Sequence, residues 1–242
     1  MFDFFANPTR FTRLAQAILP FLKLLSLISF ALGLYWGLVT SPADYQQGDT
    51  VRIMYIHVPV AWLASSSYFV LALCALFFLV WRHPLADIGA RAVAPVGAGF
   101  AALTLVTGAL WGKPTWGTYW VWDARLTSML VLFFFFIGYM ALAGAFENPR
   151  RGARPAAILA LVGVINLPIV KFSVDWWNTL HQPASLLRSG GVSIDEAMLW
   201  PLLAMFIAFQ SYFIVIVLMR MLRFIHEMKI SAPGRADRQV TS

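Results

Sequence analysis

The sequence has few charged residues. Only 12% of its 242 residues are charged, whereas a soluble domain carries roughly 25%, and 60% are hydrophobic. A chain this apolar has too little polar surface to cover its own core, which excludes an ordinary soluble domain and favours lipid as the solvent. At roughly 20 residues for each spanning helix, the length allows six or seven spans with short loops and leaves no room for a separate soluble domain.

Cysteine is almost absent. The single residue, Cys74, excludes a disulfide within the chain, a Cys-x-x-Cys metal site and the Cys-x-x-Cys-His motif that attaches a c-type haem. The sequence also has no Gly-rich Lys-Ser/Thr phosphate loop and no Gly-x-Ser-x-Gly elbow. These absences argue against ATP hydrolysis by this chain, and we expect no enzyme activity of its own.

Six apolar runs divide the chain, with proline and glycine between them. They cover approximately residues 19–39, 57–80, 92–111, 126–146, 155–172 and 197–219. The fifth run is short and contains Asn166 and Pro168, which makes it the least regular. The pattern predicts an all-α integral membrane protein in which residues 1–242 form a single membrane domain with six transmembrane helices.

Lysine and arginine are distributed unequally between the two ends of these helices. Thirteen lie on the side of the termini and five on the other side, so the positive-inside rule predicts that both termini are cytoplasmic. The five are Arg52, Lys113, Arg125, Lys171 and Arg188; the thirteen include Arg235 and Arg238 of the C-terminal tail. Residues 40–56, 112–125 and 173–196 would then face the periplasm of a bacterium, and the protein would lie in the inner membrane. The net charge of +7 needs no nucleic-acid partner.

Tryptophan is abundant and concentrated on the outer side. Nine of the ten tryptophans lie at or near that side, and four of them, Trp111, Trp116, Trp120 and Trp122, fall within twelve residues. An aromatic belt explains isolated interfacial tryptophans, but a belt forms at both interfaces. The cluster, with its interspersed glycines and Asp123 at its end, favours a broad flat surface for a large planar ligand.

Two histidines, His57 and His181, lie in separate outer segments on either side of this cluster in sequence. A lone histidine near a membrane interface is more often a polar anchor than a metal ligand. A pair beside a tryptophan-rich surface suits a planar metal-bearing ligand with one imidazole on each face, and haem is such a ligand. Zinc or copper would need three or four close nitrogen or sulfur ligands.

Two arginines of the outer side could bind the propionates of such a ligand, because a guanidinium binds a carboxylate through two parallel hydrogen bonds. They are Arg52, five residues before His57, and Arg125, at the start of the fourth apolar run. Each could instead be an interfacial arginine whose charged head reaches water, and Arg125 could pair with Asp123 at the surface.

The segment Trp111–Ser128, WGKPTWGTYWVWDARLTS, resembles the tryptophan-rich segment of the WWD-domain haem-handling family of cytochrome c maturation (system I). The segments SPADYQQGDTVRIMYIHVP around His57 and NLPIVKFSVDWWNTLHQP around His181 are also similar to that family. The similarity extends over about residues 15–225 and is greatest to the smaller members of the family, which have six spans.

The resemblance implies that His57 and His181 are axial ligands of haem b, and that the loop 111–128 forms the haem platform. The protein would hold haem at the periplasmic face and deliver it to a periplasmic haem chaperone, which binds it covalently through its own histidine. The implied partners are an ABC transporter, with an ATPase and a membrane subunit, and a small single-span protein. Two alternatives stay open: a transporter that moves haem across the bilayer, and promotion of the covalent bond on the chaperone.

Overall fold

The computed structural model describes residues 7–182 and 194–231, and this part of the chain is helical, without a β-strand. Arg188, Arg235 and Arg238, which contribute to the predicted charge distribution, lie outside the described residues. The α-helices are α1 Pro8–Tyr35, α2 Met54–Trp81, α3 Pro84–Trp116, α4 Ala124–Gly144, α5 Pro149–Val162, α6 Asn166–Trp176 and α7 Glu196–Ser231. Six segments are long and apolar enough to cross a membrane, and α5 and α6 together form one of them. The predicted all-α fold with six spanning helices is confirmed.

The helices are longer than the apolar runs that reveal them. α3 has 33 residues, which corresponds to roughly 50 Å of helix, whereas the hydrocarbon core of a bilayer is about 30 Å thick. Hydropathy detects only the part in contact with lipid chains. The helix therefore continues past the apolar run at residues 92–111 and carries Trp111 and Trp116 on its final turns.

Capping residues and prolines set the helix ends. Asp123 begins α4 by accepting a hydrogen bond from the backbone N–H of Leu126 at 2.8 Å. Gly117 ends α3 in the left-handed conformation, with φ of 79°, which favours glycine. Arg82 and His83 form a two-residue turn before Pro84, so α2 and α3 run antiparallel beside each other.

Small residues allow the helices to approach closely. α2 packs along α3, and α1 packs along α7. A Cβ atom at Gly33 of α1 would lie 2.7 Å from Sδ of Met205 in α7, and one at Gly97 of α3 would overlap the Phe136 ring of α4. Close van der Waals packing is a main force between helices in lipid, so these contacts hold α1 against α7 and α3 against α4.

Several segments converge at one end of the bundle. Arg52, before α2, donates to the carbonyl of Leu38, after α1, at 2.6 Å. The indole N–H of Trp111 in α3 donates to Oε1 of Gln47 at 2.7 Å. We call this the tryptophan-rich end. Which side of the membrane it faces stays a prediction from the charge distribution.

Candidate functional site

His57 and His181 come together at the tryptophan-rich end. His57 lies in the first turn of α2, which starts at Met54 after a 3-10 turn. His181 lies in the segment after α6. Their ring centroids are 6.3 Å apart and the ring planes differ by 34°. The structure therefore pairs two imidazoles that the sequence places in different loops.

Each imidazole has a hydrogen-bond partner for its Nδ1 atom. Nδ1 of His57, whose side chain is buried, is 2.9 Å from Oγ1 of Thr107 in α3. Nδ1 of His181 is 2.9 Å from the carbonyl oxygen of Gln182. A carbonyl can only accept, so Nδ1 of His181 carries the proton and Nε2 keeps a free lone pair.

Trp111 and Trp116 flank the two histidines. The Trp111 ring meets His57 edge to face at 5.7 Å, and the Trp116 ring is 6.2 Å from His181 at an angle of 56°. A Cβ atom at position 112 would lie 3.0 Å from the Trp116 ring, so Gly112 permits this ring to fold back against its own helix. Aromatic surface thus lies beside both imidazoles.

Trp120 and Trp122 form a separate pair, with centroids 5.3 Å apart at 78°. Trp122 is 77% exposed. The two rings border an open apolar groove of about 430 Å³ on the outer faces of α3 and α4, lined also by Leu105, Val106, Ala109 and Leu130. Trp120 and Trp122 thus border this groove, whereas Trp111 and Trp116 contact the histidines. That the four tryptophans form one surface for a ligand stays a prediction.

Asp123 and Arg125 have local partners in the structure. One carboxylate oxygen of Asp123 caps α4, and the other is buried without a hydrogen-bond partner in the part of the chain described. Nε of Arg125 donates to Oγ of Ser173 at 2.9 Å and so links α4 to α6. Burial lowers the pKa of His181, and the charge of Arg125 lowers it further. Both effects favour the neutral imidazole, which is the form that binds a metal.

Arg52 is largely occupied by backbone groups. Its two terminal nitrogens donate to the carbonyls of Leu38 and Ser41 at 2.6 and 3.1 Å, and it forms an ion pair with Asp49 at 3.1 Å. The guanidinium thus fastens the end of the first span to the turn before α2. Nε of Arg52 is its one buried nitrogen without a partner among the described residues.

The described residues contain no group of three or more His, Cys, Asp or Glu side chains that could hold a metal ion. A zinc or copper site built from three or four protein ligands is therefore not formed in this part of the chain. Two imidazoles are sufficient for a metal that arrives with its own equatorial ligands, as iron does in haem.

The sequence interpretation did not include Thr107, Gly108 or Gln47 among the site residues. The available signal was helical spacing, because positions 107, 108 and 111 lie on one face of α3. A Cβ atom at position 108 would lie 3.1 Å from Cε1 of His57, which shows how closely α3 approaches that ring. Gln47 lies in an irregular segment, where no sequence spacing indicates its contact with Trp111.

Comparison with known proteins shows which family this chain resembles. The sequence profile of the family described as heme exporter protein C matches residues 1–235. The chain is 57% identical over 216 residues to heme exporter protein C of Bradyrhizobium diazoefficiens, covering 89% of this chain and 82% of the relative. It is 44% identical over 228 residues to the Escherichia coli K12 protein of that name, covering 94% and 92%. It is also 44% identical over 201 residues to a putative cytochrome c biosynthesis ccmC-like mitochondrial protein of Marchantia polymorpha, covering 83% and 82%.

These matches confirm the resemblance to the WWD-domain haem-handling proteins of cytochrome c maturation. They extend beyond the tryptophan-rich segment and include the segments of both histidines. The chain belongs to the heme exporter protein C family.

Proposed function

We propose that this protein binds haem b at the tryptophan-rich end, with His57 and His181 as the two axial ligands, and delivers it to a periplasmic haem chaperone during cytochrome c maturation. The observation that carries the proposal is the pairing of the imidazoles at a centroid distance of 6.3 Å. The names of the relatives, which refer to haem export, support the choice of ligand.

The imidazole distance suits axial coordination. Metal–imidazole bonds are about 2.0 Å long. When the distance from each ligating nitrogen to its own ring centroid is added, two imidazoles on opposite sides of one iron have centroids roughly 6 Å apart. Two stacked imidazoles without a metal between them would lie closer together. The observed separation therefore supports ligation better than direct ring stacking.

The other residues of this end would hold the porphyrin. Trp111 and Trp116 offer aromatic faces beside the ligands, and Asp123 holds the start of α4 in place. Arg125 lies close to His181 and would bind a propionate, with Arg52 as the second candidate. The haem would be non-covalent haem b on this chain, because Cys74, the one cysteine, lies in α2 away from its first turn.

Delivery would require partners. The sequence has no phosphate-binding loop, so an ATP-dependent step would come from a partner, and the family resemblance implies an ABC transporter with an ATPase and a membrane subunit. A small single-span protein would complete the assembly at the inner membrane. The role of this chain would be to present haem to the chaperone, which forms its own covalent bond.

The alternative is that this chain itself moves haem across the bilayer. Against it, large side chains fill the centre of the bundle in the part of the chain described: Tyr68, Leu71, Leu132 and Phe136 are each 0% exposed. A wide apolar ligand has no passage between these side chains. The geometry therefore supports binding at one end better than conduction.

The absorption spectrum of the purified protein with added haem tests the proposal. We expect a Soret band that weakens in His57→Ala and in His181→Ala. The matched controls are His83→Ala and His226→Ala, because these histidines lie between α2 and α3 and near the end of α7, at the opposite end of the bundle. Wild-type spectra in both His57→Ala and His181→Ala would contradict the ligand assignment.

Delivery needs a separate measurement. The haem-loaded protein is mixed with the soluble domain of a periplasmic haem chaperone. The chaperone is then denatured, and the haem that stays covalently bound to it is measured. We expect covalent haem on the chaperone when the wild-type protein is loaded, and none with His181→Ala. If wild-type protein binds haem and transfers none, with the ABC subunits also present, the delivery part of the proposal is wrong.

A further inference from the structure

We propose that Thr107 is a positioning residue that holds the His57 imidazole in the tautomer with the proton on Nδ1 and the lone pair on Nε2. Oγ1 of Thr107 lies 2.9 Å from Nδ1 of His57, and each of the two residues is 8% exposed. The inference rests on the proposed haem-binding function for its consequence. The tautomer itself follows from the hydrogen bonds of α3.

The hydroxyl proton of Thr107 is already used within α3. Oγ1 donates to the carbonyl of Leu103 at 2.7 Å, with the carbonyl of Thr104 at 3.3 Å as a second acceptor. Carbonyls only accept, and the hydroxyl has a single proton, which is donated within α3. Oγ1 of Thr107 can therefore only accept a hydrogen bond from His57. Nδ1 of His57 must then be the donor, and Nε2 is left as the metal-binding atom.

The neighbouring residues of α3 fix the ring in that orientation. Gly108 brings the helix so close that a Cβ atom there would lie 3.1 Å from Cε1 of His57. Trp111 meets the ring at 77° from the next turn. Thr107, Gly108 and Trp111 share one helix face, so α3 sets the plane of the ring as well as its protonated nitrogen.

The two proposed ligands are held in different ways. Nδ1 of His181 donates to the backbone carbonyl of Gln182, which no side-chain substitution removes. His57 has as its closest hydrogen-bond partner a side chain of another helix, α3. Substitution of Thr107 therefore changes the tautomer of one ligand and leaves the other as an internal reference.

Nitrogen NMR of histidine-labelled protein without haem tests the tautomer, at a pH well above the ordinary imidazole pKa. Thr107→Val keeps the shape and removes the acceptor, and Thr107→Ser keeps the acceptor. The matched control is Thr104→Val, because the Thr104 hydroxyl donates to the carbonyl of Phe100 in its own helix, at 2.8 Å. His57→Gln identifies the His57 signal.

We expect a protonated Nδ1 on His57 in the wild type, in Thr107→Ser and in Thr104→Val. In Thr107→Val we expect a population protonated on Nε2, and Thr107→Ala should show the same change if the valine variant does not fold. A His57 signal in Thr107→Val or Thr107→Ala that equals the wild type would overturn the inference.

Haem titration of the same variants tests the consequence. We expect Thr107→Val to bind haem about 10- to 100-fold more weakly, as for other residues that orient a metal-binding histidine, and Thr104→Val to bind as the wild type does. A changed tautomer with unchanged haem affinity would overturn the positioning role. The NMR measurement uses protein without haem, so its result on the His57 tautomer does not depend on haem binding. A wild-type protein that binds no haem would contradict the proposed function and leave the tautomer result unchanged.

Discussion

The tautomers of two imidazoles determine which ring nitrogens are free at the tryptophan-rich end. His57 and His181 each have Nδ1 committed to a protein oxygen, so both can present Nε2 to a metal. The sequence predicted these two residues, because they are the histidines of the outer segments. It could not predict their separation or their Nδ1 partners, because both depend on how α2, α3 and the segment after α6 pack.

Arg125 should contribute to the lowered pKa of His181. Burial is the main cause of the lowered pKa and the charge of Arg125 the next, so in Arg125→Gln the pKa should rise and stay below the ordinary value. NMR titration of the protein without haem measures this shift. The protonated ring cannot bind iron, so haem binding should be lost at a higher pH in Arg125→Gln than in the wild type.

Lys113→Gln is the matched control for Arg125→Gln. Lys113 is another cation of the same end, where Nζ donates to the carbonyl of Gly117, and its charge is not among the causes of the His181 shift. A His181 pKa that is the same in Arg125→Gln as in the wild type would show that the guanidinium does not act on this ring.

At the scale of elements, the fifth span differs from the other five. It consists of α5 and α6 joined by a 3-10 turn at Gly163–Ile165. The sequence indicated an irregular run because it contains Asn166 and Pro168. The residue that lets this span pack closely against Tyr68 of α2 is Gly163. A Cβ atom there would overlap the hydroxyl of Tyr68 in α2. Helix patterns reveal spans, but they do not show which glycine meets a large side chain.

The segment 111–128 shows a similar limit. It is rich in glycine and tryptophan and was predicted as a loop, while α3 continues to Trp116 and α4 starts at Ala124. Pro114 lies within the last turn of α3. The helical part places Trp111 and Trp116 roughly one and a half turns apart, each beside one of the histidines. The irregular part carries Trp120 and Trp122, which border the groove on the outer faces of α3 and α4.

Gly163→Ala should destabilise the protein by about 1–3 kcal/mol, because the added methyl group forces the Tyr68 ring away from the 3-10 turn between α5 and α6. Thermal unfolding in detergent measures the loss. Gly99→Ala is the matched control, since a Cβ atom there meets nothing within 4 Å. The Tyr68 hydroxyl has no hydrogen-bond partner among the described residues. The double variant Tyr68→Phe/Gly163→Ala should therefore lose less stability than Gly163→Ala alone. Equal stability of Gly163→Ala and Gly99→Ala would refute the close contact.

At the scale of the whole molecule, hydrogen bonds hold segments of the tryptophan-rich end together within the part of the chain that the structure describes. Arg52 joins the end of the first span to the turn before α2, Trp111 joins the end of α3 to Gln47, and Arg125 joins the start of α4 to the end of α6. The number of spans could be predicted from hydropathy, because lipid imposes the apolar length of each. The contacts between loops could not, because they involve single polar side chains.

The charge distribution predicts that the tryptophan-rich end faces the periplasm. In a Cys74→Ala background, Tyr45→Cys places a thiol before α2 and Glu147→Cys places one between α4 and α5; both native side chains are exposed. An impermeant maleimide added to whole cells should label Tyr45→Cys and leave Glu147→Cys unlabelled until the cells are lysed. The reverse pattern would place both termini in the periplasm.

The electron paramagnetic resonance spectrum of the protein with bound ferric haem tests the central claim most directly, because it reports the axial ligands of the iron. With both His57 and His181 as ligands, the wild type should give a low-spin signal. His57→Ala and His181→Ala should each lose it and give a high-spin signal, while His226→Ala keeps it. A high-spin wild type, or a low-spin signal that survives in both single variants, would contradict a site formed by these two histidines.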